Sequence, residues 1–204
     1  MAYERERRVL YTSSPDRGGD IVLECFPEIR KHVPDAELVL SYPRWFDLCS
    51  QMFRQAQGHM TRIRGLLDQP GVSRIEGGLG QKALARLMKT SLVWAHPSYY
   101  TPGEQKFCET SCISCMEAQA AGLVVVAGNW GALTENVRHG TLLDGDPTSR
   151  EWRDQFVSAI VQGLTDPIVQ AAAQECGPQA MRDADWRGAT EQLASMFPAR
   201  RKIT

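Results

Sequence analysis

Two glutamates eight positions apart, Glu109 and Glu117, bracket the stretch of this chain best equipped for chemistry. Between them Thr110-Ser111-Cys112-Ile113-Ser114-Cys115 runs into small and apolar residues and closes on Ala120-Ala121-Gly122, which predicts a helix starting near Cys112 and ending at Gly122. A carboxylate accepts hydrogen bonds from hydroxyls. With one glutamate ahead of the helix and the other about two turns along, one can reach a sugar ring and the other a ribose. The helix start supplies what lies between. Its free backbone N–H groups, around Ser111, Cys112 and Ile113, face outward at the positive end of the helix dipole and form an anion site for a diphosphate. That is the geometry a nucleotide-sugar donor needs.

Such a site has to be mounted on something rigid, and the rest of the sequence predicts the mounting. Short β-branched runs alternate with longer segments of helical period, the pattern of βα units in a parallel sheet with helices on both faces, an α/β Rossmann-like architecture. Strands are expected at residues 9–12, 36–40, 72–76, 92–95, 123–127 and 141–143. The strand at 123–127 is nearly all aliphatic, as in a sheet covered on both sides. Helices are expected after residue 19, with Ile21, Val22, Cys25 and Ile29 on one face, then at 45–67, 81–90 and 112–122, with a short one at 131–138. Beyond residue 143 the chain reads as helical. Trp152, Phe156, Ile160 and Leu164 repeat every four residues, and further helices are expected at 168–174 and 185–197. A polar and aromatic loop at 99–107 precedes the glutamate pair, where a ligand site would open.

At 204 residues with 43% hydrophobic and 23% charged content, the chain suffices for a single domain with a real core. Residues 1–7 read as a hydrophilic extension and 198–204 as a basic tail. A net charge of -1 gives no general attraction to nucleic acid or to an anionic membrane. The longest apolar stretch, 120–128, is too short to cross a bilayer, and residues 1–8 lack a signal peptide's apolar core, so the expected location is cytoplasmic. Six cysteines in this length do not make a disulfide scaffold. Cys25, Cys49 and Cys176 are expected to be small buried hydrophobes.

The Glu-x7-Glu spacing, the Ala-Ala-Gly helix end and the following strand resemble the donor motif of the group 1 retaining glycosyltransferases of two-domain GT-B architecture. Ser13-Ser14-Pro15-Asp16-Arg17-Gly18 is similar to that family's first loop, where a basic residue before glycine meets the donor phosphates. Gly77-Gly78-Leu79 is similar to its loop beside the base. The resemblance covers about residues 8–197. It implies that Glu109 touches the transferred sugar and Glu117 holds the ribose. It also implies that Arg17, Ser14 and the backbone at Ser111, Cys112 and Ile113 take the diphosphate, with Gly78 and Leu79 beside the base. The donor would be a nucleotide-diphosphate sugar, with no cofactor and no metal. Thr12 departs from the pattern, because the family usually carries an arginine there. The family's N-terminal acceptor-binding domain has no counterpart in this chain, so that partner is expected to be missing or to lie on another polypeptide.

Two other readings compete. A lone donor domain could be a non-catalytic nucleotide-sugar-binding module. Cys108, Cys112 and Cys115, spaced Cys-x3-Cys-x2-Cys, resemble the iron–sulfur signature of radical S-adenosylmethionine enzymes, although Ser114 stands where that family prefers an aromatic residue. A zinc site lacks a fourth ligand at suitable spacing unless His96 approaches in space. His96 reads equally as a rim residue or a structural histidine, and Trp130 as a packing residue.

Overall fold

The computed structural model describes residues 3–15, 17–42, 54–75, 77–98, 108–182, 184 and 186–197. Six strands form one sheet: β1 (Glu6–Tyr11), β2 (Glu37–Ser41), β3 (Val72–Ile75), β4 (Ser91–His96), β5 (Val124–Gly128) and β6 (Thr141–Leu143). Every neighbouring pair is parallel and the spatial order is β3-β2-β1-β4-β5-β6. Strand order reverses direction between β1 and β4, the crevice where open α/β sheets of this order bind ligands.

Eight helices are described: α1 (Gly19–His32), α2 (Arg54–Leu67), α3 (Gln81–Lys89), α4 (Ile113–Ala120), α5 (Leu133–Asn136), α6 (Arg150–Thr165), α7 (Pro167–Arg182) and α8 (Trp186–Ser195). The two-residue alternation of a strand sorts their contacts. Val9, Tyr11, Leu38, Leu40, Val93, Ala95, Val124 and Val126 point into one core, with Phe26 and Ile29 of α1 and Phe156 and Ile160 of α6. Leu10, Val39, Trp94, Val125 and Ala127 point into the other, with Met88 of α3, Cys115 and Ala118 of α4 and Leu133 of α5. Each large side chain fully buried here contributes about 1.5–3 kcal/mol. The two layers clamp the sheet, so the C-terminal strand ends at its centre are held from both sides.

α7 contacts α4, α6 and β5 and so reaches both layers. It runs well past the expected 168–174, through Gly177 and Pro178. At Gly177 a Cβ would come within 2.6 Å of the Gln119 carbonyl oxygen, so glycine is what allows α7 to lie close against α4. Tertiary contact thus carries the helix through two local breakers, Gly177 and Pro178. Two further differences are local. β1 begins at Glu6, three residues ahead of Val9, because Arg7 and Arg8 pair with Asp35 and Glu37 at the neighbouring strand's start. The expected helix at 131–138 is a single turn, Leu133–Asn136. Cys176 is exposed, on the outer side of α7, instead of buried, whereas Cys25 is buried as expected. Cys49, Glu76, the loop at 99–107, the first part of the 45–67 helix and the 198–204 tail lie outside the described residues. Among the described residues no helix is long and apolar enough to cross a membrane.

Candidate functional site

The loop after β1 is fixed from within. Tyr11 Oη donates to the Ser14 carbonyl at 2.7 Å, and the Arg17 and Gly19 amides donate to Ser14 O and Pro15 O, each at 3.0 Å. Gly18 has φ 95°, and a Cβ there would sit 3.0 Å from both Pro97 Cγ and Pro97 O. Glycine therefore lets the β1 loop close onto the chain leaving β4. This contact brings Arg17 across the switch point. Ser14 is buried and its Oγ has no hydrogen-bond partner.

Opposite Arg17 stands Glu109, only 5% exposed. Its Oε1 is 3.1 Å from His96 Nε2 and 3.6 Å from an Arg17 guanidinium nitrogen. His96, the last residue of β4, is fully buried with its ring 5.7 Å from Tyr11 and 5.2 Å from Trp94. A carboxylate taken this far from water needs such partners. The backbone of Glu109 is held as firmly. Its carbonyl accepts from the Ala132 amide at 2.8 Å, and Gly131, at φ 56°, makes room for that approach: a Cβ there would lie 2.4 Å from Glu109 O.

α4 begins at Ile113, one residue from the expected start, and its N-cap Cys112 is left-handed at φ 49° with no side-chain cap. A left-handed residue beside a right-handed one turns successive N–H groups to one side. The helix start at Ser111, Cys112 and Ile113 thus stands next to Glu109 as predicted, with Ser111 and Ile113 exposed and Asn136 Nδ2 donating to Ser111 O. Glu117 lies on α4, half-buried, in an apolar groove of about 210 Å³ whose wall includes Gln81, Leu84 and Met88 of α3. Burial pushes its carboxyl above the ordinary carboxylate value. Gly78 and Leu79 lie in the loop just ahead of α3, where Gly77 and Gly78 take φ 80° and 75°.

The family description "Glycosyl transferases group 1" matches residues 63–180, more than half of the chain. The chain belongs to the group 1 glycosyl transferases. It is 27% identical over 192 residues to a GDP-mannose-dependent alpha-(1-6)-phosphatidylinositol monomannoside mannosyltransferase of Mycolicibacterium smegmatis, covering 92% of this chain and 46% of that protein. The Mycobacterium tuberculosis (strain ATCC 25618 / H37Rv) protein of the same description is 27% identical over 179 residues, 85% of this chain and 41% of its own length. The chain thus spans about half the length of the curated relatives it matches. The fold matches an E. coli trehalose-6-phosphate structure bound with UDP-2-fluoro glucose (TM-score 0.68, 13% identity, 95% of this chain and 44% of that one). It also matches Anabaena HepE in complex with UDP and glucose (TM-score 0.67, 19% identity, 94% and 48%). The fold is one Rossmann-like half of a GT-B architecture.

Within this group 1 glycosyl transferase chain the remaining chemical residues take defined places. Thr12 Oγ1 accepts from Trp94 Nε1 at 2.8 Å, so the position that departs from the family's pattern is tied to the sheet. The three cysteines of the Cys-x3-Cys-x2-Cys run are not gathered into one ligand set among the described residues. Cys115 faces the core, where Gln119 Nε2 donates to its sulfur at 3.4 Å, and burial pushes its thiol up. Burial, and secondarily the Glu109 charge, pushes the Cys112 thiol up to about 12. Cys112 is grouped instead with His96 and Glu109. Trp130 is half-buried with its indole N–H buried and unpartnered. Two contributors carried little signal in the sequence. His96 is bonded to the very glutamate it was not paired with, and Gly131 was read as a helix start when its role is to let the β5 loop touch Glu109.

Proposed function

We propose that this chain is the donor-binding half of a retaining glycosyltransferase that moves a sugar from a nucleotide diphosphate sugar to an acceptor held by a second domain. The observation that carries the reading is the meeting of Arg17 with buried Glu109 beside the α4 helix start, at the switch point of the sheet. Glu109 presents a carboxylate to the sugar hydroxyls. The leaving diphosphate is received by Arg17, Ser14 Oγ and the N–H groups at Ser111, Cys112 and Ile113, which stabilise charge as the glycosidic bond breaks. Glu117 takes the ribose hydroxyls, and Gly78 and Leu79 border the base. The transfer retains configuration at the anomeric carbon, and the phosphate charge is met by protein groups with no bound ion.

The test is a thermal-shift panel of the purified chain with UDP, GDP, ADP and their sugars. It includes the GDP-mannose named for the curated relatives and the UDP seen with the structural neighbours. A ligand at a hundredfold its Kd stabilises by about 2.7 kcal/mol, and the shift should vanish in Glu117→Ala. A panel with no shift for any nucleotide overturns the reading.

A further inference from the structure

Beside the anion-binding helix start, three different donor atoms converge. Ligand atoms of His96, Glu109 and Cys112 all lie within 4.8 Å of one another, and all three residues are buried. Imidazole nitrogen, carboxylate oxygen and thiolate sulfur are the ligand types zinc takes, commonly three from the protein with water in the fourth position. A tetrahedral ion with such bonds needs its ligand atoms about 3.3–3.8 Å apart, so a side-chain adjustment of roughly 1 Å completes the set. His96 Nε2 and Glu109 Oε1 are already 3.1 Å apart.

Two further features single the cluster out. Cys112 is the one non-glycine residue among those described with a positive φ, 49°, and strained backbone of this kind concentrates at ligand sites. His96 is fully buried; its Nε2 meets Glu109 and its Nδ1 has no hydrogen-bond partner, so the imidazole gives up no other bond in taking an ion.

We propose that His96, Glu109 and Cys112 form a site for a thiophilic divalent cation of the zinc type, and that filling it blocks donor binding. The Cys112 thiol proton leaves to solvent as the sulfur takes the ion. The ion and the Arg17 guanidinium, 3.6 Å from Glu109 Oε1, are both positive and compete for one carboxylate. Arg17, with its side chain 31% exposed, has water into which to withdraw. A filled site therefore breaks the Glu109–Arg17 pair. The ion acts as an inhibitor, in keeping with a transfer that needs none. The blocking clause rests on the donor-site reading; the binding clause does not.

Cobalt(II) reports this directly. Titrated into the full chain, reduced and stripped of metal, it should bind one to one. The expected spectrum has a near-ultraviolet thiolate-to-cobalt band and the strong visible bands of four-coordinate cobalt, both bleached by zinc. Cys112→Ser should remove the thiolate band and His96→Gln should weaken cobalt binding by about tenfold or more, whereas Cys108→Ser and Cys176→Ser keep both features. If Cys112→Ser fails to fold, Cys112→Gly reads the same loss, since glycine suits the left-handed backbone. Absence of the bands in the parent chain, or their survival in Cys112→Ser and Cys112→Gly, overturns the site. Zinc should raise the apparent Kd for the nucleotide sugar in the parent chain and leave it unchanged in Cys112→Gly; an unchanged Kd in both sinks the blocking clause. Cobalt bands without nucleotide binding would uphold the site and sink the donor reading, and nucleotide binding without bands would do the reverse.

Discussion

Under the role proposed for Glu117, binding and stability pull in opposite directions. Its folded carboxyl holds a proton to higher pH than the ordinary value of 4.5, because α3 and α4 shield it from water. Its contribution to stability is therefore full below the unfolded value and is lost as pH rises through the raised folded value. At neutral pH the ionised group is a small cost, and Glu117→Gln should raise the Tm of the ligand-free chain. The gain stays within about 2 °C, since the half-exposed carboxyl is screened by water. The same change should weaken nucleotide binding by about tenfold to a hundredfold, the worth of a charge-assisted hydrogen bond. A lower Tm together with unchanged binding would show that the carboxylate has a structural partner instead. Gly131 makes a contrasting case. Alanine there meets Glu109 O at 2.4 Å in a left-handed conformation, so Gly131→Ala should cost about 1–3 kcal/mol in urea unfolding. It should weaken binding of the nucleotide sugar more than of the bare nucleotide, since it displaces the residue proposed to touch the sugar.

The elements were more legible in the sequence than their contacts. β5 shows as Val124-Val125-Val126, and α6 shows in Trp152, Phe156, Ile160 and Leu164, all buried, because a one-dimensional pattern is the direct imprint of a face. The glutamate pair and the helix start between them were legible for the same reason, being local. What stayed hidden joins segments far apart in the chain: His96 to Glu109, Gly131 to the Glu109 carbonyl, and Gly177 to α4. Gln119 is the clearest instance. Fully buried on α4, it donates through Nε2 to Asn136 O at 2.7 Å and accepts through Oε1 from the Arg138 and His139 amides. It ties α4 to the turn after α5, and nothing in its neighbours along the sequence announces this. Replacing it by leucine keeps the volume but strands those groups, so Gln119→Leu should destabilise by about 2–3 kcal/mol in chemical denaturation. A loss below half that value would mean water takes over the bonds.

At the scale of the molecule, the sheet and its two helical layers hold together the surface proposed to bind the donor. Arg17, His96, and Glu109 with the α4 start come from three segments clamped by cores on both faces, so the side proposed to bind the donor is preorganised. The acceptor side has no such set among the described residues, and the curated relatives are about twice as long. Bond cleavage at an anomeric carbon needs the acceptor within about 3–3.5 Å and bulk water excluded, which alignment against a second wall provides. Holding two reactants in that alignment is worth about 7–11 kcal/mol of barrier. The chain by itself should therefore bind its nucleotide sugar, and release product from it no faster than the sugar donor decays in buffer. Single-turnover assays with radiolabelled donor, with and without candidate acceptors, decide the point. Binding without turnover is the expected outcome. Rapid transfer by the isolated chain would mean that the acceptor wall lies within these 204 residues after all, and the division of labour argued here would fall with it.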